Sequence, residues 1–438
     1  MKMAKKIEQL ILSATAFFWC FLMWFSTAAF SPTIITDYNL STFDWVILAS
    51  SPLWLAPPGR ILAGWAVDKI GARDSYVIIL VVTGVFSIAS AFVQDYLLLF
   101  VTRIIVSTAG VSFVVGIQHV SQWFEDEEMG TAEGLYAGTG NAGAGVGALL
   151  LPRIYESDYS SAFLHLGIIA LFIALIILWR VKNAKTKERE EAAKKTATLR
   201  DTLFVWSRWP AIALMFAYAM SFGLEIAMNG YLPGYYKSTF SEQLAVLGFV
   251  SDVDLQIAVG TFAAVQSLNA SLFRPFSGYM SDLWQRKRWM PYPMVGKNLP
   301  YSPRIHWLMT ALICITLLMI LLSIAGIFGL LHMSVIVLAI FGVCVSFGTG
   351  ATFAIVPLMF KNRPGTAAGF IGGISTLFSI PLAILFAWDA LPSLHYGFAF
   401  VSIAIFIPTM LFFILAIRID FNPEDHGIGS KELWLGQQ

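Results

Sequence analysis

Long apolar runs separated by short polar ones set the pattern of this chain. Runs long enough to cross a bilayer fall at roughly 10–30, 43–67, 75–94, 96–120, 131–152, 161–180, 209–234, 252–280, 306–330, 333–359, 366–388 and 395–417. The expected fold is therefore an all-α polytopic membrane protein of twelve transmembrane helices. The longest polar interruption, 181–208, divides them into two sets of six. Residues 1–180 are expected to form an N-terminal six-helix bundle, 181–208 a charged cytoplasmic linker, and 209–438 a C-terminal bundle with a cytoplasmic tail. Lys2, Lys5 and Lys6 ahead of the first run resemble a signal peptide. That run lasts about 21 residues and many others follow, so it reads as a first membrane helix.

Composition strengthens this reading. Of 438 residues, 57% are hydrophobic and only 13% charged, more apolar surface than a soluble chain of this length can hide. A net charge of +1 gives no sign of a nucleic-acid partner. Cys20, Cys314 and Cys344 lie in apolar stretches without metal-ligand spacing, which reads as packing. With the N-terminus taken as cytoplasmic, only Arg153 and Lys237 among the 28 Lys and Arg fall outside, while Arg60, Arg103 and Arg274 fall within helices. The positive-inside rule then puts both termini in the cytoplasm, in a multi-pass protein of the cell membrane.

An internal repeat carries the chemistry. Arg60, Gly64 and Asp68 recur at the same spacing as Arg274, Gly278 and Asp282. Gly130-Thr-Ala-Glu-Gly134 opens the fifth segment and Gly365-Thr-Ala-Ala-Gly369 the eleventh. Segments two and five thus match eight and eleven, the mark of two parallel repeats with a site between them. At about 1.5 Å per residue, Arg60 and Arg274 each lie about 12 Å in from the cytoplasmic end. Asn141, counted from Gly130, and its counterpart Thr376, counted from Gly365, reach about 16 Å. Two cations, an amide and a hydroxyl at one level form a candidate anion site.

A central membrane arginine costs about 2.5–3.5 kcal/mol even on the milder insertion scale, and something must offset it. The offset is a bound anion, capped carbonyls, or a carboxylate, for which Glu225 is the buried candidate. A protonatable acid there is also a candidate for coupling transport to protons. Gly64, Asp68, Gly71 and Arg73 read as a tight turn, a candidate gate in which the aspartate accepts from backbone or from an arginine across the interface. Glycine is dense in the fifth segment, from Gly134 to Gly147, where backbones or a small ligand can approach closely.

These residues resemble the major facilitator superfamily, whose loop between helices two and three carries the Gly-Asp-Gly-Arg pattern. Within it, the chain is similar to the nitrate/nitrite porter family over nearly its whole length. The resemblance rests on Arg60, on Arg274-Pro-Phe-Ser-Gly-Tyr-Met-Ser-Asp282, on Phe222-Gly-Leu-Glu-Ile-Ala-Met-Asn229, and on Ala137-Gly-Thr-Gly-Asn-Ala-Gly143. It implies that Arg60 and Arg274 hold an oxyanion and that Asn141 lies beside it. The second glycine signature departs from the pattern, with Ile374, Ser375, Thr376 and Phe378 in place of small residues.

The expected function is secondary transport of a small inorganic anion, nitrate or nitrite, by alternating access, as an antiporter or a proton symporter. A monomer is expected to suffice, and no cofactor is called for. An organic-anion carrier would use the same arginines, and a non-transporting sensor would bind without flux. An enzyme is disfavoured, since the histidines at 119, 165, 306, 332, 395 and 426 form no metal-ligand pair and no nucleophile motif occurs.

Overall fold

The computed structural model describes residues 2–124, 126–183, 209–292, 302–359, 364–386 and 391–419. The linker expected at 181–208 lies almost wholly outside them. Every expected apolar segment coincides with a helix or a broken helix, and no strand occurs among the described residues. The first segment is α1 (Lys2–Ala29), followed by a short α2 (Ser31–Asp37). The second divides into α3 (Thr42–Ala49), a 3-10 turn (Ser51–Leu53) and α4 (Ala56–Ile70). Next come α5 (Ala72–Ser90), α6 (Tyr96–Val106), a 3-10 stretch (Ser107–Val111) and α7 (Ser112–Ser121). The long α8 (Asp126–Tyr155) and α9 (Tyr159–Arg180) complete the first set.

In the second set, α10 (Trp209–Tyr218) runs through a π-helical turn (Ala219–Gly223) into α11 (Leu224–Val246). Helix α12 (Asp252–Leu272) meets α13 (Arg274–Lys287) at Phe273. Then follow α14 (Ser302–Ile327), α15 (Leu331–Met359), α16 (Pro364–Leu377), α17 (Ser379–Phe386) and α18 (Leu394–Ile419). Ten of these stretches are long and apolar enough to cross a membrane. The other two are α12–α13 and α8, whose glycines dilute its hydropathy.

Several segments expected to be continuous are broken, and the sequence supplies reasons for some of the breaks. Pro57 and Pro58 occupy the start of α4 and Pro275 the start of α13, where a missing N–H is harmless but the preceding helix cannot continue. At the end of α4, Gly71 takes φ 88° and ψ 164°, so one residue caps α4 and starts α5. A side chain there would be strained, which is why the turn needs glycine.

Two ends of the molecule can be told apart. The starts of α1 and α5 and the end of α9 meet at a proximal end, where Gln9 Nε2 donates to Arg180 O (3.2 Å) and the Arg73 N–H to Asn183 Oδ1 (3.0 Å). Four of the helices that begin at the opposite, distal end share one kind of start. Ser41 with Asp44 caps α3 and Ser251 with Asp254 caps α12, each as a capping box, while Asp95 and Asp158 cap α6 and α9. An acidic side chain at a helix N-terminus satisfies orphan amides and suits the positive end of the dipole. Hydrogen bonds to Ser161 hold the Asp158 carboxyl below its usual value. The matched boxes on α3 and α12 are a further mark of the repeat.

Within the sets, α1 packs along α8, α5 along α9, and α14 along α15 and α18. Between them, the main contacts are α8 with α12 and α4 with α16. The repeat that maps segment two onto eight and five onto eleven exchanges these two contacts, so the arrangement is pseudo-twofold.

The contact is uneven along its length. Toward the distal end the backbones touch: a Cβ on Gly230 would lie 2.9 Å from Ala49 O, and one on Gly260 2.5 Å from Ala148 O. Near mid-depth, Gly138 faces Ser271 O at 3.3 Å and Gly373 faces Ile61 at 3.1 Å. One turn nearer the proximal end on those same faces, Gly134 and Gly369 meet nothing within 4 Å, and neither does Gly278. Among the described residues, the closest backbone approaches between the two sets lie toward the distal end.

Candidate anion site

The backbone irregularities converge on Arg60. This residue follows the proline-started first turn of α4 and is 1% exposed. Its Nε donates to Gly110 O (3.0 Å), a carbonyl of the 3-10 stretch between α6 and α7. Its Nη1 donates to Thr376 Oγ1 (2.8 Å) on α16, across the interface. Thr376 Oγ1 itself donates to Gly372 O (2.7 Å), which leaves its lone pairs for the guanidinium. Nη2 has no hydrogen-bond partner among the described residues.

Aromatic rings enclose the cation. The guanidinium carbon lies 5.8 Å from the Trp24 ring, 5.6 Å from Phe113 and 5.3 Å from Phe222. Cation–π contacts contribute about 0.5–2 kcal/mol each, rising as water is excluded, so the rings offset part of the burial. They give the ion no counter-charge, and Arg60 makes no ion pair among the described residues.

Arg274 is built differently. It opens α13, is 8% exposed, and its Nη2 lies 2.8 Å from Glu225 Oε2 and 3.1 Å from Oε1. Glu225 stands in the first turn of α11, directly after the π turn, and is 3% exposed. Arg274 Nε donates to Ala270 O (3.2 Å) in the last turn of α12. The Arg274 guanidinium also lies 5.3 Å from the Phe222 ring, as Arg60 does. One phenyl ring in the π turn therefore touches both cations, and π turns recur at functional sites because they re-aim a side chain in this way.

Of the residues singled out in the sequence, Arg60 and Thr376 are joined directly, and Arg274 is joined to Glu225. Asn141 is buried in α8, but no hydrogen bond links it to either arginine. Its Nδ2 donates to Ala137 O (2.7 Å) of its own helix, and its Oδ1 is unpartnered. One of the two N–H groups of that amide is thus used within the helix, and the second remains a donor. Gly64 and Asp68 sit in α4, and their surroundings lie outside the described residues. Gly71 makes the turn, whereas the Arg73 side chain pairs with its neighbour Asp74 (2.7 Å) on the surface, not with an acid across the bundle. In the second copy, Asp282 pairs within its own set, with Arg304 of α14 (2.6 Å).

Arg103 takes the bland course. Its Nη2 donates to Met23 O (2.6 Å) and Ser26 Oγ (3.0 Å) of α1, and Phe163 lies 4.7 Å from its guanidinium. It ties α6 to α1. Sequence reasoning passed over Phe222, Trp24 and Phe113 as site residues. Phe222 stands three residues before Glu225, but helical spacing alone does not mark an aromatic as a cation partner. A cavity of about 440 Å³ at the distal end is lined by Asp37, Tyr38, Gln94 and Tyr159, among others, and by neither arginine.

The sequence profile of the Major Facilitator Superfamily matches residues 12–383. The chain belongs to that superfamily. It is a transporter and not an enzyme. Among relatives, it is 24% identical to a nitrate/nitrite transporter of Nostoc punctiforme, over 95% of this chain and 94% of that one. It is 25% identical to a probable nitrate/nitrite antiporter of Thermus thermophilus, over 91% and 90%. Among solved structures, a nucleoside transporter superposes with a TM-score of 0.68 at 13% identity, covering 93% of this chain and 100% of the other. A D-xylose–proton symporter gives 0.64 at 14%, covering 93% and 96%. These likenesses at low identity speak for the fold.

Proposed function

We propose that this transporter moves a small inorganic anion, nitrate or nitrite, by alternating access around Arg60 and Arg274. The observation that carries the reading is the buried Arg60 guanidinium, which among the described residues has one unpartnered nitrogen and no carboxylate. A planar oxyanion suits a guanidinium because the fork donates two hydrogen bonds at once. The relatives named as nitrate/nitrite transporters support the same class of substrate. The bodies that rock are residues 1–180 and 209–438, joined by 181–208, with both termini cytoplasmic.

The two arginines play unequal parts in this proposal. Arg60, uncompensated, is the standing anion receptor, with Thr376 orienting it. Arg274 is neutralised by Glu225 and becomes available when that carboxylate takes a proton. Anion and proton are then taken together, which makes proton symport the favoured coupling. Exchange of nitrate for nitrite is the competing outcome, since it leaves the site always filled. Asn141 lines the route, and the turn of Gly64, Asp68, Gly71 and Arg73 forms the proximal gate.

The test is uptake into proteoliposomes under a nitrate gradient, with and without internal nitrite and with and without a pH step. Uptake driven by acid outside, with no internal nitrite, is the expected result. Uptake that strictly requires internal nitrite would replace symport by exchange. No nitrate flux, but flux of formate or a similar carboxylate, would move the assignment to organic anions.

A further inference from the structure

The distal seal is polar as well as close-packed. Lys237 of α11 reaches across to the first set, where its Nζ donates to Pro32 O (2.8 Å) and Thr36 Oγ1 (3.1 Å) of α2. Gln256 of α12 is fully buried and spans two points of the same set: its Oε1 accepts from Thr33 Oγ1 (2.7 Å), and its Nε2 donates to Glu156 O at the end of α8. Arg153 of α8 donates through Nη2 to Thr261 Oγ1 (2.8 Å) of α12, and through Nη1 to Leu149 O of its own helix. These distal bonds between the sets join the segment 32–156 to the segment 237–261.

Charge gives these bonds a second meaning. Arg153 and Lys237 are the two basic residues that the sequence places at this end. The acids nearby include the capping residues Asp44, Asp95, Asp158 and Asp254, which the helix starts require. An acidic mouth repels an approaching anion, and screening weakens that only beyond a Debye length of about 8–10 Å. In the sealed arrangement both cations are spent on neutral oxygens. Parting the two sets removes the Lys237 acceptors and the Thr261 acceptor of Arg153 at one stroke.

We propose that Lys237 and Gln256 form the latch that holds the distal end shut, and that Lys237 and Arg153, once released, become the cation pair that draws a small anion into the opened mouth. The second half rests on the anion-transport reading above; the latch does not. The mouth is thus attractive to anions only when it is open, which ties capture to the state that can accept cargo.

The latch is tested without any substrate. Spin labels at Thr42→Cys and Val246→Cys, both in exposed positions of opposite sets, report the distal separation in the full chain after Cys20, Cys314 and Cys344 are replaced by serine. Gln256→Leu and Lys237→Met are each expected to shift the pulsed-EPR distances to longer values. A distribution unchanged by both, in protein that elutes as a single folded species, overturns the latch. Capture is read at Ser238→Cys in the Gln256→Leu background, as the ratio of reaction rates with an anionic sulfonate thiol reagent and a cationic trimethylammonium one. Adding Lys237→Gln should lower that ratio several-fold, and more at low ionic strength. A ratio indifferent to Lys237→Gln overturns the capture role. Because neither measurement contains nitrate, wild-type protein that moves no nitrate would remove the proposed substrate while these two outcomes still decide the mouth.

Discussion

Arg274 Nη2 and Glu225 Oε2 lie 2.8 Å apart, both buried, and this pair makes the two arginines of the repeat chemically unequal. Arg60, at the same spacing within its repeat, meets a hydroxyl, a carbonyl and three rings instead. A buried ion pair adds little net stability, but removing one partner strands the other charge at a cost of about 3–5 kcal/mol. The Glu225–Arg274 pair is therefore better suited to switching than to holding the fold.

Glu225→Gln mimics the protonated acid. Arg274 is then free at every pH, so nitrate binding should lose its pH dependence. Affinity at alkaline pH should rise toward the wild type's value at acid pH, by roughly tenfold, or about 1.4 kcal/mol. Calorimetric titration at both pH values checks this. The same variant should lose uptake driven by a proton gradient while keeping anion exchange. A retained pH dependence would assign coupling to another group.

Arg60→Lys keeps the charge and loses the fork. One ammonium cannot reach Gly110 O and Thr376 Oγ1 and still present two donors to a planar anion. Flux should fall at least tenfold, with little change in the detergent-extracted yield. Thr376→Val is the subtler change. It leaves Nη1 of Arg60 without its partner, at a cost of about 1–3 kcal/mol, and should raise KM more than it lowers the maximal rate.

Phe222 tests whether one ring serves both cations. Phe222→Leu conserves most of the apolar bulk but removes the ring face from Arg60 and Arg274 together, a loss of about 1–4 kcal/mol in all. Thermal unfolding in detergent should shift down, and Phe222→Tyr should restore it. If leucine and tyrosine behave alike, the ring is filler.

The uneven contact along α8 predicts opposite outcomes for two glycines of one helix. Gly134→Ala places its methyl in open space and should be neutral or stabilising by up to about 1 kcal/mol, since alanine is the better helix former. At Gly143 the new Cβ would collide with the Phe18 backbone of α1, which cannot swing aside. Gly143→Ala should lower stability by about 1–3 kcal/mol or abolish folding, as read by the melting temperature.

The sequence by itself determined the helical segments, the repeat, the depth of Arg60 and Arg274, and the need for something to offset a buried cation. These follow from local rules: hydropathy reads span length, spacing reads depth, and Gly71 announces its turn because few residues other than glycine accept φ 88°. Prolines at 57, 58 and 275 mark two of the breaks in the same way. What only the tertiary structure decided is which buried group meets which. Glu225 could as well have paired with Arg60, since both lie at mid-depth on different helices. The π turn before Glu225, the 3-10 stretch that offers Gly110 O, and the packing of α4 on α16 fix the choice. Asn141 shows the same limit, for its depth could be counted from Gly130, while the bond from its amide to Ala137 O could not. Depth is a one-dimensional quantity that a helix writes into its sequence. Partnership depends on rotation about each helix axis and on contacts between residues such as Arg60 and Thr376, hundreds of positions apart, where no local pattern reaches.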